Sequence, residues 1–503
     1  MRSRRSFLAG AAGLGLAAPM FAPDAMARLM AANKAAGQAS PLDLAHDEDY
    51  WSGIQRAFDI DRTLIYLNNG GCCPSPTHVL EQMIRDLKFT NEAPTHHMWR
   101  ILDPRVETVR RELAREFGCD PEELAIKRNA SEAMETLIFG IDLERGDQVI
   151  VTDQNYPRML TSWDQRARRE GIVVKRISFD VPLPSPAHFV AQIEAAITEK
   201  TRVIEFPHVT NLSGQILPVR EVADLAKRRG IELFVDGAHG FAHFPFTRDD
   251  LNCDYYGTSL HKWLLAPIGT GFLYVRKEKQ KRIWPLMGAD EVLDDDIRKY
   301  EQIGTHPAAN FNAIEVALTF HRGIGVERRA ARMRYLRDRW ARRLREASDR
   351  VKLWTPIDDE KASCGIALVQ IEGIDTGSLY GHLLGKYQII TSPTVHEQYE
   401  GVRVTPNVYT TAREIDVFAE AMLDVIEDGF PVEKKPEPSK KRDVRQKDGT
   451  RNGRELTKEQ KQKDLQDARD KEAKELKEAE EAKSAREAKE KDAKVGAGRA
   501  GAD

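Results

Sequence analysis

Val235-Asp236-Gly237-Ala238-His239 and, further along, Ser259-Leu260-His261-Lys262-Trp263 are the two stretches that decide how this chain is read. Each closes a short apolar run, residues 231–235 in the first case and Asp254-Tyr255-Tyr256-Gly257-Thr258 in the second. Runs of this length, rich in β-branched and aromatic residues, read as buried strands. Working outward, Gln148–Thr152, 172–177, 202–206 and Gly271–Val275 read the same way. Residues 158–169 and Val219–Arg229, the latter closed by Gly230, carry a helical pattern. Strands alternating with helices predict an α/β fold built on a mostly parallel sheet wrapped by helices. In such sheets ligands collect at the carboxyl ends of the strands. That rule places Asp236, His239 and Lys262 at the edge of one cleft. A lone aspartate there would serve equally well as a helix cap, and a lone lysine is usually solvated. The order Asp, His, Ser-x-His-Lys on successive strand ends favours a site.

The bulk numbers set the frame. At 503 residues, with 41% apolar and 31% charged residues, the chain is long enough for two domains and a large core. A formal net charge of -3 leaves no basic excess for nucleic acid. Five cysteines, Cys72, Cys73, Cys119, Cys253 and Cys364, form neither a disulfide framework nor a metal spacing. Ser3-Arg4-Arg5-Ser6-Phe7-Leu8, an Ala/Gly-rich apolar run and Ala25-Met26-Ala27 read as a signal peptide over residues 1–27, with paired arginines resembling the twin-arginine type. The expectation is export of the folded protein by twin-arginine machinery to the periplasm or medium, with no stable membrane anchor. Residues 28–49 read as a polar linker, 50–330 as a large domain with its N-terminal segment, and 331–430 as a smaller C-terminal α/β domain. Residues 431–503 contain no aromatic residue and are dominated by Lys, Glu, Asp, Arg, Gln and Ala, which predicts a solvated tail, disordered or partly helical.

The chemistry of the motif residues fits pyridoxal 5'-phosphate (PLP). A lysine amine condenses with its aldehyde, and partial burial lowers the amine's pKa. A carboxylate facing the pyridine nitrogen keeps the ring an electron acceptor. The phosphate needs amides at a helix start. Asn129-Ala130-Ser131-Glu132 supplies one, with Asn129 as N-cap and Glu132 completing a capping box.

With these motifs in place the sequence resembles the class V aminotransferase family of fold-type I PLP enzymes, and within it the isopenicillin N epimerase-like branch. The likeness runs from about Tyr66 to Leu423. It implies a seven-stranded-type sheet in the large domain, a Schiff base on Lys262, Ser259 and His261 at the phosphate, and Asp236 at the pyridine nitrogen. His239 and Asn211 would approach the ring hydroxyl, Tyr156 would stack on the ring, and Ala130 and Ser131 would offer amides and a hydroxyl to the phosphate. Gly304-Thr305 resembles the pair that reaches the phosphate from a neighbouring subunit, which implies a homodimer with shared sites. Arg403, in a stretch similar to the family's Arg-x-Ser-x-x-x-Tyr-Asn, would grip an amino-acid α-carboxylate. Asn68 and Asn69, in Tyr66-Leu67-Asn68-Asn69-Gly70-Gly71, would lie over the substrate entrance. His96, His97, Trp99 and Arg100 are weaker specificity candidates.

The reaction is left open among three courses: epimerisation first, transamination second, a lyase third. Persulfide chemistry is disfavoured because residues 390–401, which correspond to the cysteine-bearing loop of desulfurases, hold no cysteine. A non-enzyme reading, a catalytically silent periplasmic scaffold, is opposed by the intact set Asp236, His239, Lys262 and Arg403.

Overall fold

The computed structural model describes residues 23–429 and the two short paired strands Thr450–Arg451 and Arg454–Glu455. Most of the expected signal peptide and tail lies outside the described residues. The sheet is seven-stranded, built from β1 (Leu124–Lys127), β2 (Gln148–Thr152), β3 (Val173–Ile177), β4 (Thr201–Pro207), β5 (Glu232–Asp236), β6 (Tyr255–Ser259) and β7 (Gly271–Val275). In space these run β1-β7-β6-β5-β4-β2-β3. Strands β3, β2, β4, β5 and β6 pair in parallel, while β7 runs antiparallel to both β6 and β1. Apart from the edge strand β3, whose residues are exposed or half-buried, the strands are largely apolar on both faces because both faces are covered. Tyr256 and Ile150 face one core with Phe117, Leu233 and Phe272. Their neighbours Tyr255 and Val149 face the other, with Met134, Leu137 and Trp163. Each large side chain buried this way contributes roughly 2 kcal/mol.

Helices α2 (Ala130–Gly140), α3 (Pro157–Glu170) and α4 (Val219–Arg229) connect strands. Two glycines in left-handed backbone, Gly171 and Gly230, end the last two. After β7 come α5 (Ala308–Ile324) and the arginine-rich α6 (Val326–Ala347). A four-stranded antiparallel sheet follows, β8 (Val351–Leu353), β9 (Ala367–Ile371), β10 (Ser392–Val395) and β11 (Glu400–Val404), in the order β10-β11-β9-β8. It buries Leu336 and Trp340 of α6 together with Phe418 and Met422 of α7 (Ala412–Asp428).

One expectation is corrected. Residues 28–49 are not a linker: α1 (Pro23–Ala36) is followed by the helices Pro41–Ala45 and Glu48–Gln55. A thin apolar stripe explains it. Leu29, Leu44, Tyr50, Trp51 and Ile54 are buried in one cluster with Phe320 of α5, and the remaining positions are polar enough to disguise the pattern. Ala25-Met26-Ala27, the expected cleavage motif, lies within α1. No described helix is long and apolar enough to cross a membrane.

Candidate active site

Strand ends bring the site together. At the end of β5, Asp236 is buried, with its Oδ1 accepting from the Ala238 amide at 3.0 Å. Burial pushes its carboxyl up, while the Ala238 amide and the Lys262 charge pull it back. Beyond β6, Lys262 sits in a tight turn, with Nζ 3.2 Å from Nε2 of buried His239. The residue as a whole is half-buried. Burial, helped by the Arg403 charge and opposed by Asp236, draws it down to about 8. Burial likewise keeps His239 neutral, well below the ordinary imidazole range, so its Nε2 is able to accept from the lysine.

The helix start on the same edge forms a cradle. Asn129 caps α2 by accepting from the Glu132 amide at 2.8 Å, and the Ala130 amide donates to Ser259 Oγ at 2.9 Å. The expected capping box is only half formed. Glu132 turns instead to the Arg128 amide (2.8 Å), the Arg128 guanidinium (3.0 Å) and Lys127 Nζ (3.3 Å), because two cations directly precede the helix. Two glycines let this helix approach the sheet. A Cβ on Gly257 would lie 2.8 Å from Met134 Sδ, and one on Gly271 would lie 2.8 Å from Asn129 Cα.

From β11 comes Arg403, whose Nη1 donates to the Asn211 carbonyl (2.6 Å) and Nη2 to Asn68 Oδ1 (2.9 Å). Burial lowers this guanidinium to about 10, which still leaves it charged at neutral pH. Gly70 lies against it: a Cβ there would come within 3.3 Å of the guanidinium carbon. These groups surround a cavity of about 280 Å3 lined by Asn129, Ala130, Ser131, Tyr156, Asn211, Asp236, His239, Ser259, His261, Lys262 and Arg403 among others. Tyr156, half-exposed, follows β2, which lies across β4 and β5 from the strand that carries Lys262.

Most residues singled out from sequence therefore share one wall. Asn69 does not. It is fully buried, donates to the Thr405 carbonyl at 2.8 Å and accepts from the Tyr409 hydroxyl, so it scaffolds the entrance segment and cannot reach a substrate. Asn68 acts on Arg403 and is absent from the cavity lining. Thr305 is exposed, and neither it nor His96, His97, Trp99 or Arg100 lines the cavity of its own chain. Met159, Pro207, Val209 and Ala238 line it without having been expected there, and Asn129, Gly70 and Gly71, expected only as helix cap and entrance segment, line it as well. Several follow strand carboxyl ends, and that position is the signal that could have found them.

PLP fits what is present. A carboxylate, a lysine of lowered pKa and a helix N-terminus with adjacent hydroxyls occupy one cavity. His239, His261 and Arg403 line the cavity, and each also keeps a buried nitrogen (Nδ1, Nδ1 and Nε in turn) that has no partner among the described residues.

The aminotransferase class V family model matches residues 65–418. The chain belongs to that family. An isopenicillin N epimerase of Streptomyces clavuligerus is 31% identical over 394 residues, 74% of this chain and 97% of the relative. Another from Amycolatopsis lactamdurans is 29% identical over 399 residues, 75% of this chain and 98% of the relative. The solved cysteine desulfurase of Escherichia coli shares the fold with a TM-score of 0.65 at 19% identity, covering 75% of this chain and 98% of that one.

Proposed function

We propose that this class V enzyme binds PLP through Lys262 and acts at the α-carbon of an amino acid as an epimerase or racemase of the isopenicillin N epimerase kind. The observation that carries this is the convergence of Lys262, Asp236, His239 and Arg403 on one cavity, with the Lys262 amine 3.2 Å from His239 Nε2. The two epimerase relatives, each matched over almost its whole length, support the choice of reaction.

Ala130, Ser131, Ser259 and His261 would hold the phosphate, Asp236 the ring nitrogen, and Asn211 and His239 the ring hydroxyl, with Tyr156 against the ring face. When bound, PLP supplies the electron sink for a carbanion at the α-carbon. Arg403 grips the α-carboxylate through a planar fork, fixing which substituent faces Lys262. Lys262 takes and returns the α-proton on one face, and the neutral amine it needs is accessible near pH 8. Inversion requires a proton on the other face as well. Tyr156 or His239, both of which line the cavity, or a bound water would carry it.

A desulfurase reading is opposed twice. The segment 396–399 is a short hairpin turn between β10 and β11 without a thiol. The thiols of Cys72 and Cys73, which sense the Lys262 charge, are both raised by burial and so are poor nucleophiles. Transamination remains the second reading. Assembly as a homodimer, with Thr305 of one chain completing the other's phosphate site, and twin-arginine export to the periplasm or medium belong to the same proposal.

The test is a panel of L- and D-amino acids incubated with holoenzyme in deuterated water. Exchange of the α-hydrogen with loss of optical purity supports epimerisation. Stoichiometric keto-acid formation makes the enzyme an aminotransferase, and a colourless protein without exchange leaves only the scaffold reading.

A further inference from the structure

Beneath the lysine-bearing turn lies a cation that the chemistry above does not use. Arg329, in the first turn of α6, is fully buried, and no carboxylate lies within ion-pairing distance of it among the described residues. Its Nη2 donates to the carbonyl oxygen of Trp263, the residue immediately after Lys262. Its Nη1 lies 2.6 Å from Nδ1 of His321 on α5. A guanidinium only donates, so His321 accepts there and carries its proton on Nε2, 3.3 Å from Glu116. Burial holds that imidazole near 4, hence neutral. The arginine is thus balanced through a neutral ring that ends on Glu116, which Arg322 also holds at 2.8 Å.

The turn above is strained. Leu265 has φ of 65° while fully buried, a left-handed backbone that a branched side chain disfavours. Leu265 N donates to the Lys262 carbonyl (3.3 Å) and Ala266 N to that of Leu260 (3.1 Å), closing the turn. Conformations of this kind persist only where the surroundings over-determine them. The Trp263 ring is stacked at 3.6 Å on His243, whose Nδ1 lies 2.9 Å from the His239 carbonyl oxygen. Ring and peptide of Trp263 are therefore fixed from two sides, and Arg329 supplies the second.

We propose that Arg329 is a positioning residue for Lys262, its hydrogen bond to the Trp263 carbonyl holding the 262–265 turn in the strained form that presents the amine to the Asp236–Arg403 cavity. The proposal rests on Lys262 being the cofactor-linked residue, and the wild-type protein checks that separately: borohydride must fix the chromophore to Lys262. A failure there ends the Lys262 reading before Arg329 is at issue.

Arg329→Lys, which keeps the charge and one donor, and Arg329→Met, which keeps neither, are compared in the full-length holoenzyme. Four quantities are read: thermal midpoint, cofactor retention, the pH at which the lysine-linked absorbance is half lost, and kcat against KM. Arg329→Met is expected to lower kcat about tenfold with KM within about twofold, and to move the pH midpoint by about one unit, a tenfold change in protonation ratio. Arg329→Lys is expected to recover most of both. A folded Arg329→Met with an unmoved pH midpoint overturns the proposal. So does failure of both variants to give folded, cofactor-retaining protein, which makes Arg329 a stability residue alone.

Discussion

Formation of the proposed covalent link between Lys262 and PLP should follow the protonation of its amine, and the groups around that amine set the sign of each perturbation. Only the neutral amine attacks an aldehyde. At the ordinary 10.5, about one lysine in three thousand is neutral at pH 7, whereas at about 8 the fraction is roughly one in ten, a gain of about 300-fold. Burial supplies most of the depression, the Arg403 charge adds to it, and the Asp236 carboxylate opposes it. Mixing apoprotein with PLP and following the rate of colour formation from pH 6 to 10 should therefore give a half-maximal rate near 8. Arg403→Met removes a repelling cation, so its midpoint should rise toward 10.5. Asp236→Asn removes a stabilising anion, so its midpoint should fall below that of wild type. A wild-type midpoint near 10.5 would refute the reasoning, as would both variants moving the same way, because the electrostatic balance in the cavity would then not be the one the geometry implies.

Gly257→Ala places a Cβ 2.8 Å from Met134 Sδ and 3.0 Å from Ala133 Cβ. Overpacking of this kind costs about 1–3 kcal/mol, and lifting α2 should weaken PLP affinity by about tenfold in a spectral titration while KM for the amino acid changes little. Glu205, fully buried beside Trp163, is pushed up to about 8 by burial and by Asp236. Its folded-state pKa lies above the ordinary 4.5, so the stability it contributes is complete below 4.5 and lost as pH rises through 8. Glu205→Gln should accordingly flatten the decline in thermal midpoint between pH 5 and 9. Glu107 runs the other way: burial opposes it, but Arg298 and Arg110 hold its carboxyl down to about 2. Its contribution is present above 4.5 and lost as pH falls toward 2, so the acid limb of the unfolding profile should be shallower in Glu107→Gln.

What was legible in the sequence was whatever forms a short continuous apolar run or obeys a 3.6-residue period. Gln148–Thr152, Val219–Arg229 and Gly271–Val275 coincide with their elements. The edge of the sheet where Asp236, His239 and Lys262 meet follows from the rule that ligands gather at strand ends. β1 escaped because it is four residues long and closes on Lys127, a lysine that is buried only because Glu132 and the Tyr300 carbonyl meet it. Asn69 was expected over the substrate entrance because the segment from Tyr66 to Gly71 resembles the family's entrance segment. Its burial is decided by Thr405 and Tyr409, more than three hundred residues away in sequence.

The arginines of α6 mark the same boundary more sharply. By composition the helix reads as a charged surface helix, yet Arg329, Arg332 and Arg337 are fully buried. Each donates to carbonyls that only the tertiary fold brings near: Trp263 for the first, Ala45 and Thr410 for the second, Ile357 and Cys364 for the third. A guanidinium has five donors in a fixed plane, so it can bind several backbone carbonyls from separate segments at once. Here that property makes α6 a strut. It ties the N-terminal helices, the lysine turn and the connection between β8 and β9 to one helix, with the Trp263 carbonyl of the lysine turn bonded to its first turn. Lysine in these positions would offer a single point of contact and a greater cost of desolvation. Among these three arginines only Arg329 bonds the lysine turn, so its substitution should disturb the site more than that of Arg332 or Arg337, which a comparison of cofactor retention in the three Met variants checks.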